Sequence, residues 1–219
     1  MSAASGPATL ARASDLVGRP VVSIADGLDI AEVKDVVFEP DRHALMGFTL
    51  NKRGFWRGSL RELLPTANIT AIGPDAVMVD SADALAPPDQ APVELQPGSK
   101  RHGVLGTRVM TNGGRSLGVI TGVIVSLGSR FEVVGYEIDG PEQTKSSPSR
   151  LVPIDAQLAL SEDLLLLPDE IEQFIRHDLA GFGSAVEEFR NRPQPAPLLP
   201  QTPPAQPTPL GQPAQERFS

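Results

Sequence analysis

The feature that most constrains the fold is an internal repeat, which relates residues 17–47 to residues 105–135. The first copy reads VGRPVVSIADGLDIAEVKDVVFEPDRHALMG, and the second reads LGTRVMTNGGRSLGVITGVIVSLGSRFEVVG. Three pairs of turn-forming residues recur at one constant spacing: Gly18 and Gly106, Gly47 and Gly135, and Pro65 and Pro153. Because solenoid repeats run to about 20–50 residues, this longer period indicates a duplicated domain.

Each copy has the pattern of short strands joined by tight turns. In the first copy, Asp26 and Gly27 are typical of a hairpin turn, since both residue types tolerate positive φ. Residues 30–38 then alternate between polar and apolar side chains, as expected of a strand with one solvent-exposed face. Six such strands in residues 14–85, with no helical period between them, predict a small closed antiparallel barrel.

The predicted fold class is therefore all-β, with two small antiparallel barrels in tandem, a C-terminal helix and a disordered Pro-rich tail. Proline content predicts the linker and the tail, and apolar residues at helical spacing predict the helix. The predicted organisation is a flexible lead-in at 1–13, a first barrel at 14–85, a linker at 86–102, a second barrel at 103–167, an amphipathic helix at 168–190 and the tail at 191–219.

Several short motifs resemble one known domain family. They are LVGRPV at 16–21, EVKDVVFEPD at 32–41, Gly47-Phe48, Leu64-Pro65 and IGPDAV at 72–77. Together they resemble the PRC-barrel, a domain shared by the H subunit of photosynthetic reaction centres and a ribosome maturation factor. The resemblance covers residues 14–85 and 103–168, so the chain looks like a bacterial tandem PRC-barrel protein.

The resemblance implies a non-catalytic docking or adaptor module, because PRC-barrels pack against other proteins and supply no catalytic residues. The implied partner is an unidentified protein, either a membrane protein on its cytoplasmic side or a ribosomal protein. The alternative function is a ribosome-maturation or RNA-processing accessory factor. The N-terminus has no apolar signal region, and no apolar run approaches the roughly 18 residues of a spanning helix. We therefore expect a cytoplasmic protein without a membrane span, peripheral to the membrane if its partner is a membrane protein.

Composition and motifs argue against an enzyme, a cofactor or a metal. The chain has no cysteine, which excludes thiol nucleophiles and Cys-based metal sites. Residues 114–118 read GRSLG and match a nucleophile elbow, but that elbow needs a strand-to-helix turn, whereas strands are predicted on both sides. His43, His102 and His177 have no second ligand at metal spacing. The net charge of −8 also argues against a nucleic-acid partner, which favours a basic face.

The sharpest candidate for partner binding is a basic and aromatic loop. It comprises Lys52, Arg53, Phe55, Trp56, Arg57 and Arg61. Trp and Arg are favoured at interaction hot spots, so one interpretation is a docking patch. The other is that the two aromatic residues cover the mouth of the barrel while the cations stay solvated.

The predicted C-terminal helix supplies the second candidate surface. Its apolar face includes Phe174 and Phe182. This face either packs on the chain's own barrel or pairs with a partner helix or with the same helix of a second copy.

Overall fold

The computed structural model describes residues 9–39, 43–53, 58–96, 104–128, 131–140, 149–155, 158, 160–161 and 163–193. The predicted lead-in up to residue 8 and the predicted tail from residue 194 lie outside these residues. The described chain is mostly β, as predicted. Its strands are β1 (Leu10–Arg12), β2 (Pro20–Ser23), β3 (Asp29–Glu39), β4 (Ala44–Asn51), β5 (Ser59–Pro65), β6 (Ala71–Ile72), β7 (Val77–Val79), β8 (Arg108–Thr111), β9 (Ser116–Leu127), β10 (Phe131–Asp139), β11 (Arg150–Pro153) and β12 (Leu164–Leu167).

Helical segments are short and lie between or after the strands. The 3-10 helices span Ala13–Leu16, Thr66–Asn68, Ala82–Ala84, Val93–Leu95 and Asp169–Phe174, and the α-helix α1 spans Leu179–Arg190.

The first half of the molecule is a curled sheet in the order β6-β7-β2-β3-β4-β5. Its neighbouring strands are antiparallel except for β2 and β7, which run parallel with Val21 opposite Val77. A wholly antiparallel barrel was predicted, and the parallel pairing of β2 with β7 shows that this part of the prediction is wrong. The physical reason is that β7 does not follow β2 through a hairpin. The chain passes through β3 to β6 first, and such a crossover can bring a strand back in the parallel direction.

The second half repeats these pairings, and the spacing between equivalent residues is constant except in β9, where it is one residue shorter. Its strands are ordered β12-β8-β9-β10-β11, and β8 and β12 are again parallel, with Val109 opposite Leu165. The repeated turn glycines also match. Gly18 and Gly106 have φ values of 85° and 86°, a left-handed conformation that glycine adopts without steric cost. Residues equivalent in sequence therefore occupy equivalent places in the two halves.

The two halves form one continuous sheet with one continuous core. They join where Glu132 of β10 pairs with Ala44 of β4. The largest cluster of buried apolar side chains contains Phe48 from the first half and Tyr136 and Ile138 from the second. Burial raises the pKa of the Tyr136 hydroxyl to about 12. We expect the halves to unfold together because they share this core.

The start of the chain crosses from one half to the other. Residues up to 13 were expected to form a flexible lead-in, but β1 pairs with β9 of the second half, with Leu10 opposite Ser126 and Arg12 opposite Ile124. The Arg12 guanidinium reinforces this pairing by donating to Glu137 of β10 at 3.2 Å. The prediction is therefore wrong for β1, because its backbone groups bond to an edge that only the folded second half provides.

The described part of the predicted linker, residues 86–96, packs on the first half. Ala86 exchanges two backbone hydrogen bonds with Leu63 of β5, at 2.8 and 2.9 Å. Leu95 is fully buried against Val37 and Leu63. The extended-linker prediction is therefore wrong for these residues, since leucine and alanine between the prolines cover apolar surface.

The predicted helix at 168–190 is two helices with an extended segment between them. Arg176 in this segment exchanges backbone hydrogen bonds with Leu151 of β11, as Ala86 does with Leu63 in the first half. Asp178 then caps α1, because its carboxylate accepts a hydrogen bond from the Gly181 N–H at 2.8 Å. This strand pairing, together with the cap, interrupts the continuous helix that apolar spacing predicts.

Asp169 begins the 3-10 helix Asp169–Phe174 and joins it to the turn after β8. A hydrogen bond from the Thr111 side chain, with a second from the Gly113 amide, holds the pKa of the Asp169 carboxyl below its ordinary value. A lowered carboxyl pKa stabilises the fold above the unfolded pKa of about 3.9, and this stability disappears as pH falls through the lower folded value. We expect Asp169→Asn to destabilise the protein at neutral pH. The difference between wild type and variant should shrink below about pH 4 in urea unfolding followed by circular dichroism. A constant difference from neutral to acid pH would contradict this assignment.

Candidate functional site

The structure describes three of the six residues of the predicted basic loop. Lys52, Arg53 and Arg61 flank the connection between β4 and β5, and Lys52 and Arg61 are exposed. The Lys52 N–H donates to the Gly58 carbonyl at 2.7 Å, which draws the two ends of the loop together. Phe55, Trp56 and Arg57 lie outside the described residues, so both interpretations of these aromatic side chains stay predictions.

Arg53 forms ion pairs with two carboxylates of its own chain. Its guanidinium bonds to Asp29 and lies 3.3 Å from Glu32. The hydrogen bond to Asp29 holds the pKa of Arg53 above its ordinary value. A cation that already forms an ion pair contributes less free energy to binding an acidic partner, because the new ion pair must replace the existing one. Lys52 and Arg61 are therefore the better candidates for contact.

Lys34 adds a cation that the sequence did not assign to this site. It lies on β3, and its ammonium donates to the Ser59 hydroxyl at 2.7 Å at the start of β5. The sequence does not reveal that Lys34 lies near the loop, because the two are distant along the chain. The pairing of β3 with β4 and of β4 with β5 brings them together.

The helical aromatic residues proposed for partner binding lie inside this chain instead. Phe182 is fully buried with Ile124, Val134 and Leu151. Phe174 is 9% exposed, and its ring meets that of Phe189 edge-on at 5.3 Å between centroids. Of the two roles considered for the helix face, packing on the chain's own sheet is the one observed. Phe174 and Phe182 are therefore not available to a partner in this fold.

A cleft of about 320 Å³ lies between the two halves. The 3-10 helix Ala13–Leu16, strand β3 and Val17 form its wall from the first half. Leu105, β9 and β10 form the opposite wall. Most of the lining is apolar, and the volume falls at the lower end of the range for ligand pockets, about 300–1,000 Å³.

The lining of the cleft follows the internal repeat. Val17 and Leu105 are equivalent positions in the two copies, and they are 47% and 61% exposed. Val36 and Val123, also equivalent, lie deeper and are buried. The cleft therefore has one exposed aliphatic side chain from each repeat at its rim. The cleft was not predicted from the sequence, because the pattern predicts strands but not the exposure of residues beside a turn.

The charged side chains among the described lining residues are both acidic. Glu137 already accepts hydrogen bonds from Arg12, and the Asp35 carboxylate accepts one from the Val36 N–H at 2.8 Å. Asp35 is exposed, whereas the Glu137 side chain is 15% exposed. The cleft therefore has mostly apolar walls, and both of its described carboxylates already have hydrogen-bond partners.

Comparison with known protein families matches one part of the chain. A model of the PRC-barrel domain matches residues 9–85. These residues form a PRC-barrel domain. The match begins just before β1 and ends at Leu85, so it includes the strand that pairs with the second half. No curated protein matches the chain.

The helices in the described ranges are too short or too polar to cross a bilayer.

Proposed function

We propose that residues 104–167 are a second PRC-type barrel, which makes the chain a bacterial tandem PRC-barrel protein. The support is the recurrence of the same pairings beyond the matched domain. Each half contains one parallel pair of strands. Each half also contains an antiparallel pair in which a glycine lies opposite a proline, Gly47 opposite Pro65 and Gly135 opposite Pro153. Two unrelated domains would not be expected to share both the register of their paired strands and the sequence spacing of their equivalent residues.

We further propose that the protein is a non-catalytic docking protein or adaptor. The observation that supports this function is the apolar cleft between the halves, with Val17 and Leu105 exposed on its rim. Exposed apolar surface of this kind favours burial against another protein. The proposed partner is a membrane protein on its cytoplasmic side or a ribosomal protein, and the proposed location is the cytoplasm or its membrane periphery.

The test is fractionation of native lysate on a sucrose gradient at low and high salt, with ribosomal and membrane markers. The docking function predicts that the full chain sediments with a partner at both salt concentrations, because an apolar contact depends weakly on salt. Sedimentation as a free monomer at both concentrations, with no product after chemical crosslinking in cells, would contradict it.

The alternative is a ribosome-maturation or RNA-processing accessory factor. The exposed cations Lys52 and Arg61, with Lys34 beside them, favour it, since RNA contacts depend on basic side chains. This function predicts association with ribosomal particles that weakens steeply as salt rises.

Charge reversal separates the two functions. If docking uses the cleft, the double variant Lys52→Glu and Arg61→Glu should keep its partner, with less than about a twofold change in affinity. The accessory-factor function predicts loss of ribosome association in the same variant, measured by co-sedimentation. Arg108→Glu, an exposed cation on β8 of the second half, is the matched control. Loss of the partner in the double variant alone would reject docking through the cleft.

A further inference from the structure

We infer that residues 98–100 of this chain occupy the edge of β3 at residues 37–39, as β1 occupies the edge of β9. Each half then receives a strand from the other, whereas the described residues show this exchange in one direction. The inference rests on the proposed second barrel and specifies how the two barrels are joined. Residues 97–103 lie outside the described residues, and three observations on the residues around them support the assignment.

The first observation concerns the edge that β1 covers. Residues 124–126 of β9 pair with β1 on one edge and with β10 on the other. Residues 37–39 of β3 hold the same place in the first half, because both stretches begin opposite the repeated glycine, Gly135 in β10 and Gly47 in β4. Among the described strands, β2 alone uses the other edge of β3, at residues 29–32. Residues 37–39 are therefore the first-half counterpart of the stretch that β1 covers.

The second observation is that the chain enters both halves along the same path. Leu16 and Val104 are equivalent and buried, and each carbonyl accepts a hydrogen bond of 3.3 Å from the amide three residues later. The turn glycines that follow donate to β3 at 2.8 Å and to β9 at 2.7 Å. Strand β1 ends four residues before Leu16, and residue 100 lies four residues before Val104. The repeat therefore places residues 98–100 where the first copy has β1.

The third observation is that both flanks of the segment lie beside the same part of β3. Leu95 is fully buried against Val37. Val104 lines the cleft together with Val37 and Phe38. An extended chain advances about 3.4 Å per residue, so residues 97–103 are long enough to pair with three residues of β3 and continue to Val104. Chain length and the positions of the flanks thus fit the pairing that the repeat predicts.

The exchange has a consequence for the proposed adaptor. An edge strand offers its backbone N–H and C=O groups to other chains, and pairing within the chain removes that opportunity. Two reciprocal strands also tie the halves together in both directions. The adaptor therefore presents its two barrels to a partner as one unit, and the edge at residues 37–39 is not the surface that the partner binds.

The test is disulfide crosslinking with engineered cysteines, since the chain has no cysteine of its own. The variant is Glu39→Cys with Gly98→Cys, and the positive control is the equivalent pair on β9, Ser126→Cys with Leu10→Cys. That pair is not hydrogen-bonded, because the 2.8 Å hydrogen bond to the β1 segment comes from the next residue of β9. The Cα atoms of such pairs lie about 4.5 Å apart, which is within the range of a disulfide.

The full-length variants are oxidised and then analysed by electrophoresis without reducing agent and by mass spectrometry. We expect a disulfide within the monomer in both Glu39→Cys with Gly98→Cys and the positive control. Asp35→Cys with Gly98→Cys is the off-register control. It should form no disulfide within the monomer, because four residues of strand, about 13 Å, separate the two positions.

Hydrogen exchange of the wild-type chain tests the same pairing without cysteines. Val125 lies opposite Ala11, and the alternation of antiparallel pairs makes this position hydrogen-bonded, with the Val125 amide directed at β1. Phe38 is the equivalent residue, so we expect its amide to be protected as well as that of Val125. Ser99→Pro should remove the protection at Phe38, because proline has no N–H, whereas Ser99→Ala should retain it.

Three results would overturn the inference. They are no disulfide in Glu39→Cys with Gly98→Cys while the positive control forms one, a disulfide-linked dimer, or rapid exchange of the Phe38 amide in the wild-type chain. The dimer would identify a second copy as the source of the strand. The proposed docking function is judged separately by gradient sedimentation and crosslinking in cells. If the β1 disulfide forms and partners are retained while residues 98–100 do not pair with β3, the exchange runs in one direction only and the docking function stands.

Discussion

Phe182→Ala is expected to lower the free energy of unfolding by about 3–5 kcal/mol, measured by urea denaturation followed by circular dichroism. The ring is fully buried and links α1 to β9, β10 and β11 through Ile124, Val134 and Leu151. It also packs closely on Gly135, where an added Cβ would clash with it. Truncation therefore removes apolar contacts and leaves a cavity that the rigid strands cannot fill.

The matched control is Leu105→Ala, which removes an apolar side chain that is 61% exposed. Its expected cost is below about 0.5 kcal/mol, because most of its surface is already in water. A loss of less than about 1 kcal/mol for Phe182→Ala would mean that α1 does not pack on the sheet in solution. The helix face would then again be a candidate for partner binding.

Asp155→Ala is expected to cost about 3–5 kcal/mol, because it leaves the Arg192 guanidinium without its closest counter-charge. The two side chains are 9% and 11% exposed, and their charged atoms lie 2.7 Å apart. Arg192 also lies over the Phe189 ring, 3.6 Å from its centroid. This ion pair joins the end of α1 to the segment after β11, so its loss should loosen the helix. The measurement is the same urea titration.

A double-mutant cycle with Arg192→Ala isolates the pair, since removing both partners leaves no unpaired buried charge. We expect the double variant to be more stable than Asp155→Ala alone. Glu188→Ala is the control, because its ion pair with Arg176 has a carboxylate that is 61% exposed and should contribute less than about 1 kcal/mol. A small cost for Asp155→Ala would mean that Glu170, 3.7 Å from Arg192, takes over the charge.

Residues 191–219 were expected to be disordered, yet Arg192 is held by Asp155 and by the carbonyl of Phe189. The predicted start of the tail at residue 191 is therefore wrong. Composition predicts disorder from a scarcity of apolar residues, whereas Arg192 is ordered by its ion pair and its contact with an aromatic ring. Residues 194–219 lie outside the described residues, and there the prediction stays untested.

Candidate sites were harder to predict than strands. The basic loop was visible in the sequence because its residues are contiguous, but pairing of Arg53 with Asp29 and Glu32 depends on the β3-β4 register. Phe174 and Phe182 have helical spacing, and spacing alone does not say which surface the stripe covers. The cleft had no sequence signal beyond the apolar residues Val17 and Leu105 beside the turn glycines Gly18 and Gly106.

By itself, the sequence determined the repeat, the turns at Gly18 and Gly106 and the predominance of strands, because turn chemistry and side-chain alternation are properties of adjacent residues. The tertiary structure decided the parallel pairing of β2 with β7, the packing of residues 86–96, the crossing of β1 to β9 and the cleft. Each of these depends on which surface lies opposite a segment distant in sequence. Burial and edge pairing are satisfied only by that opposing surface, so no local pattern encodes them.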